Sequence, residues 1–122
     1  MHALKDSLSS IVGAERVLQQ AISRPGYHGG VLLFYDQDTG WWNAAIHDVP
    51  LARTGQVYQL WFLTPHGIIP GPELHPDGVR PTFVTFRLPA RAGDVVAARL
   101  TVEPIAGPDD RPVGVELARL SF

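Results

Sequence analysis

Val57-Tyr58-Gln59-Leu60-Trp61-Phe62-Leu63 is the densest apolar run in the chain, and the fold class turns on how it is read. Laid out as a strand, it puts Tyr58, Leu60 and Phe62 on one face and Val57, Gln59, Trp61 and Leu63 on the other. Both faces are mostly apolar, so neither expects water. The run lies between Gly55 and Pro65, which leaves too little room for a typical buried helix and the right length for a central strand. Gln59 is the odd residue. A buried primary amide must find partners for its carbonyl and its NH₂ or cost about 1–3 kcal/mol. Gln59 is therefore either bonded into neighbouring backbone or placed for a ligand.

Outward from this strand the pattern is turn and strand. Residues 30–47 predict a β-hairpin: the apolar run Val31-Leu32-Leu33-Phe34, a reversal at Asp36-Gln37-Asp38-Thr39-Gly40, then a strand from Trp41 to His47. Residues 64–80 carry Pro65, Pro70, Pro72 and Pro76 with Gly67, Gly71 and Gly78, which predicts a long irregular connection. Residues 82–88 resume alternation. Residues 95–103 alternate cleanly: Val96, Ala98, Leu100 and Val102 point to the core, while Ala97, Arg99, Thr101 and Glu103 make a wet face. Pro104 ends that strand, residues 105–111 turn, and a last strand runs through residues 113–122. Several short strands punctuated by Pro and Gly predict an all-β antiparallel sandwich of about six to eight strands.

The head of the chain differs in composition, with no proline before Pro25. Leu4, Leu8, Ile11 and Val12 recur at helical spacing, and Asp6 with Ser7 suits a cap. Residues 15–22 fit a helix face and a strand alternation equally well. The domain reading is a tether or short helical appendage over residues 1–14 and one sandwich over residues 15–122.

Composition narrows the chemistry. The 122 residues are 45% hydrophobic and 18% charged, which describes one globular domain able to bury roughly two-thirds of its unfolded surface. A net charge of -2 without any Lys/Arg run gives no electrostatic footprint for nucleic acid or an anionic membrane. The absence of cysteine rules out disulfides, thiolate metal sites and cysteine nucleophiles. No stretch approaches the ~18 apolar residues of a membrane span, and residues 1–10 lack the order of a secretory signal. These residues are thus expected to be soluble, with any export segment lying outside them.

No nucleotide, hydrolase or zinc-protease signature is present. Of His2, His28, His47, His66 and His75, none has metal-ligand spacing, although His66, Glu73, His75 and Asp77 share the proline-rich stretch. The acidic pairs Asp36/Asp38 and Asp109/Asp110 fall in turns and lack the apolar surroundings of a catalytic carboxyl. Adjacent Trp41 and Trp42 must face opposite sides of a strand, so one can be core while the other is open to a ligand. The possible ligand surface is therefore Trp41, Trp42, His66, Glu73 and His75. No cofactor and no catalytic set is expected.

Tyr58-Gln59-Leu60-Trp61, the glycine turn at Gly67, then Val102-Glu103-Pro104, Gly107, Pro112 and Gly114 resemble, in order and separation, the C-terminal extracytoplasmic domain of RskA-type anti-sigma-K factors. The resemblance covers about residues 15–120. It departs at the turn over residues 105–111, which is poorer in glycine and serine, and at Val113, where the family has threonine. It implies a non-catalytic regulatory domain on the outer face of the cytoplasmic membrane. It also implies a cytoplasmic anti-sigma domain that holds an ECF sigma factor, a single membrane span, and a site-1-type protease that opens regulated intramembrane proteolysis. The cytoplasmic domain and the span would both lie outside these residues. In the family the region like residues 15–22 leads directly into the sandwich, which favours a strand there. Two other readings stand beside it: a small-ligand or carbohydrate-binding module using Trp41 or Trp42 and the loop over residues 64–80, and a metal-dependent enzyme using His66, Glu73, His75 and Asp77.

Overall fold

The computed structural model describes residues 16–122 of the protein. The tether expected over residues 1–14 lies outside the described residues. The described residues form eight strands: β1 (Arg16–Ala21), β2 (Gly30–Asp36), β3 (Trp41–His47), β4 (Gln56–Thr64), β5 (Gly67–Leu74), β6 (Thr82–Phe86), β7 (Ala97–Pro104) and β8 (Val115–Ser121). They make two four-stranded antiparallel sheets, ordered β1-β2-β3-β6 and β5-β4-β7-β8. This is the predicted sandwich, and residues 16–21 resolve as strand, pairing along β2.

The predicted central strand is central in its sheet, with β5 on one side and β7 on the other. Tyr58, Leu60 and Phe62 enter the inter-sheet core with Val31, Leu33, Trp42, Ala44 and Ile46 from the facing sheet and Ala98, Leu100, Leu117 and Leu120 from the same one. Trp42 is the pivot. Its ring lies 5.1 Å from Tyr35, 5.5 Å from Phe62 and 5.8 Å from Phe122, all tilted. Each such pair contributes about 0.5–1.5 kcal/mol beyond buried area. The predicted hairpin is also present. Its reversal is closed by Gly40 N–H to Asp36 O and Asp38 N–H to the Asp36 carboxylate, with Gly40 at φ 77.

Three expectations are corrected. Residues 64–80 are irregular only in their second half, because β5 occupies Gly67–Leu74 and forms a hairpin with β4. Prolines are tolerated there because β5 is an edge strand, where an absent N–H breaks no ladder on its outer side. A register shift between Gln59 and Trp61 lets Gly71 and Pro72 bulge opposite Leu60. Val96 does not point inward: a 3₁₀ turn at Ala92–Asp94 resets the phase, so Val95 is buried and Val96 exposed. The third correction concerns the outer face of β7, where the candidate site lies.

Candidate functional site

The two halves of the sequence motif are neighbouring strands. In the β4–β7 ladder Val57 stands opposite Glu103, Tyr58 opposite Val102, Gln59 opposite Thr101 and Leu60 opposite Leu100. On the face turned away from the inter-sheet core, a buried polar chain links them. Trp61 Nε1–H donates to Thr101 Oγ1 at 2.9 Å, and the Thr101 hydroxyl donates to Glu103 Oε2. The other carboxylate oxygen, Oε1, accepts the backbone N–H of Val113 at 2.9 Å and of Gly114 at 3.1 Å; Gly114 N–H also reaches Oε2 at 3.0 Å. Trp61 and Thr101 are 0% exposed and Glu103 is 3%.

The predicted wet face of β7 is therefore dry at Thr101 and Glu103. The reason is local. A large indole from β4 and the returning connection over residues 105–114 cover that side, and the carboxylate is supplied with donors in place of water. A buried carboxylate without hydrogen bonds costs several kcal/mol. Here a hydroxyl and two backbone N–H groups satisfy it, and no buried side-chain polar atom lacks a partner among the described residues.

The remaining motif residues complete this brace. Gly114 lies so close to β7 that a Cβ there would stand 1.7 Å from Val102 O. Pro104 closes β7, and Gly107 folds back on it, with Gly107 N–H bonded to Pro104 O at 2.9 Å. Ile105 N–H bonds Gly55 O, tying the same connection to the foot of β4. Pro112 leads into the Val113–Gly114 pair that caps the carboxylate. On the same sheet Arg99 and Arg119 stand directly opposite one another, and Glu116 pairs with both.

Gln59 proves to be bonded into backbone, its Nε2 donating to Gly71 O at 3.3 Å across the β4–β5 bulge. Its partner is β5, not the strand of the second motif half; Trp61 makes that link. Gln59→Leu should lower stability by about 1 kcal/mol in urea denaturation; equal or greater stability would show that the amide is not structural. On the inner face the Tyr58 hydroxyl donates to Pro50 O at 2.7 Å. Burial pushes its pKa above the ordinary tyrosine value, and Tyr27 adds to the shift.

The structure does not bring together the five residues of the predicted ligand surface. Trp42 is core, as strand alternation allowed, and Trp41 is 38% exposed. Trp41 has one ring face covered, with the Arg87 guanidinium carbon 4.5 Å from its centroid. His66 sits in the β4–β5 turn, while Glu73 and His75 lie at the far end of β5, roughly 20 Å along the strand. Glu73 and His75 approach each other to 3.6 Å in an exposed contact. The Asp77 carboxyl is occupied with the N–H groups of Arg80 and Val79, which hold its pKa below the ordinary aspartate value. His66, Glu73, His75 and Asp77 thus do not converge, and no group of three or more His, Cys, Asp or Glu side chains suited to a metal occurs among the described residues. No helix there is long and apolar enough to cross a membrane.

Sequence reasoning missed a second location, a cleft at the end of the sandwich lined by Arg24, Tyr27, Arg53 and Gln56. A signal for it was present: Arg24-Pro25-Gly26-Tyr27 and Arg53-Thr54-Gly55-Gln56 share the pattern Arg, any residue, Gly, polar.

Comparison with family models, curated proteins and solved structures gives no significant match.

Proposed function

We propose that this chain is a non-catalytic regulatory domain of the RskA type, the extracytoplasmic part of a membrane-anchored anti-sigma factor that controls an ECF sigma factor. One observation carries the reading. Tyr58-Gln59-Leu60-Trp61 and Val102-Glu103-Pro104, far apart in sequence, are adjacent strands joined through Trp61, Thr101 and Glu103, and Gly107, Pro112 and Gly114 belong to the same brace. Most of the motif serves one structural unit, as a family-defining scaffold requires, while Tyr58 and Gln59 tie the same strand to Pro50 and Gly71. In this reading the sandwich governs access of a site-1-type protease to the chain. The brace keeps the connection over residues 105–114 closed, and its opening exposes extended backbone that a protease can take.

The test is genetic. Removing the codons for residues 16–122 in the host should change transcription from one set of promoters that share a sigma-factor recognition sequence. A transcript profile indistinguishable from the parent strain overturns the proposal. The alternative, a small-ligand-binding sandwich module, gains nothing from Trp42, which is core. It draws on Trp41 and on the cleft at the sandwich end.

A further inference from the structure

We propose that the mouth of the sandwich beside Arg24 and Arg53 is a binding site for a small organic anion, a carboxylate or phosphate carried on a compact apolar body. The inference does not depend on the regulatory reading: Arg24 and Arg53 lie outside the motif, although Val102, Pro104 and Gly114 of the motif line the same cleft.

Two adjoining clefts, of about 530 Å³ and about 280 Å³, share Pro25, Tyr27, Arg53, Gln56 and Val102 and so form one depression. The larger alone falls within the roughly 300–1,000 Å³ typical of small-molecule sites. The depression lies where the β1–β2 and β3–β4 connections meet the ends of β7 and β8. Its charge is one-sided: among the described residues Arg24 and Arg53 line it and no Asp or Glu does, in a protein whose net charge is -2.

The two arginines are held alike. Each opens a four-residue turn closed by a backbone hydrogen bond, Tyr27 N–H to Arg24 O at 3.1 Å and Gln56 N–H to Arg53 O at 2.9 Å. Each turn has glycine at its third position with positive φ, Gly26 at 86 and Gly55 at 83, the conformation type II turns reserve for glycine. Each therefore presents an arginine at its first position and a polar side chain, Tyr27 or Gln56, at its fourth. The turns are anchored to the sheets. Ile22 N–H bonds Gly29 O at the base of the first, and Gly55 O accepts Ile105 N–H in the second.

The guanidinium groups remain available. Arg80, Arg99, Arg111 and Arg119 are each paired with a carboxylate, whereas the Arg53 side chain makes no hydrogen bond or ion pair among the described residues. Arg24 uses, among the described residues, only Nε, which donates to Glu116 O at 3.0 Å and aims the planar fork. A guanidinium with free terminal N–H groups matches carboxylate and phosphate oxygens in bidentate geometry. Pro25, Val102, Pro104 and Val115 supply the apolar wall against which the body of such an anion packs.

The test is a ¹H–¹⁵N correlation titration of the full chain with phenyl phosphate, phenylacetate, inorganic phosphate and benzyl alcohol. Saturable shifts confined to residues 24–27, 53–56, 102–104 and 114–117 are expected with phenyl phosphate, phenylacetate or both, and which of the two binds identifies the anion. Inorganic phosphate should bind more weakly and benzyl alcohol not at all. Arg53→Ala and Arg24→Ala should each weaken binding about tenfold, the loss expected for one charged hydrogen-bonding group. Because Arg53 is exposed and unpartnered, its replacement leaves the spectrum of the free protein otherwise unchanged, and Arg111→Ala leaves affinity unchanged. Absence of saturable shifts at these residues, equal binding of benzyl alcohol, or undiminished affinity in both Arg53→Ala and Arg24→Ala overturns the proposal.

Discussion

Trp61→Ala lowers the unfolding free energy by about 3–5 kcal/mol, the range for removing a large buried aromatic side chain. The indole is fully buried on the face of β4 opposite the inter-sheet core, so the void opens beside Thr101. The substitution also takes the donor from Thr101 Oγ1, the first step of the chain that ends on Glu103. Trp61→Phe separates the two effects: it keeps most of the volume and loses only the N–H, and should cost about 1–3 kcal/mol. Trp41→Ala provides the contrast, because Trp41 is partly exposed and stacked, among the described residues, by Arg87. Its cost should stay below about 1 kcal/mol. Urea denaturation followed by far-UV circular dichroism measures all three. A Trp61→Ala loss no larger than that of Trp41→Ala would mean that the brace contributes nothing to the fold.

Gly114→Ala should be comparably severe, at about 3–5 kcal/mol, for a different reason. Gly114 is required by proximity: an added methyl would stand 1.7 Å from Val102 O and 3.0 Å from Glu103 Oε2. Backbone cannot yield as a flexible side chain does, so the start of β8 must move away from β7. That movement breaks the bifurcated bond from the one Gly114 N–H to the two carboxylate oxygens, worth about 1.5–3 kcal/mol as a bond to a charged group. Overpacking adds about 1–3 kcal/mol. Gly93→Ala is the matched control, since a Cβ there meets nothing within 4 Å. Thermal unfolding should separate the two variants by well over 10 °C, given about 4–8 °C per kcal/mol for a domain near this size. Equal midpoints would show that the β7–β8 junction has room that its geometry denies.

Much of the fold was legible because its central elements obey simple periods. β4 is apolar on both faces and lies between Gly55 and Pro65, so only a buried strand fits. The β2–β3 hairpin announces itself through Asp36 and Gly40, and period two alone separates Trp41 from Trp42. β5 was hidden because Pro70, Gly71 and Pro72 all count against a strand. Only its place at a sheet edge, with a bulge opposite Leu60, makes them acceptable, and a linear sequence does not say which strand is outermost. The outer face of β7 was misread for a related reason. Alternation assigns Thr101 and Glu103 to water, whereas their environment is set by Trp61 one strand away and by backbone N–H groups ten and eleven residues downstream of Glu103. Proximity in sequence also misled at His66, which an extended strand holds apart from Glu73 and His75. The arginine cleft needed two turns from separate connections to meet, and only the repeated turn pattern of Arg24 and Arg53 hinted at it.

The Glu103 carboxylate has a consequence for how the chain tolerates change in length. By holding Val113 and Gly114 against the end of β7, it closes the base of the connection that begins after Pro104. The register of β8 is thereby set at the clamp and not by the number of residues that loop out beyond it. For a loop pinned at both ends, doubling its length costs only about 0.6 kcal/mol. The exposed Asp109-Asp110 tip is accordingly a natural splice point, where a reporter epitope or a spectroscopic label can be spliced in while the sheets behind it keep their alignment.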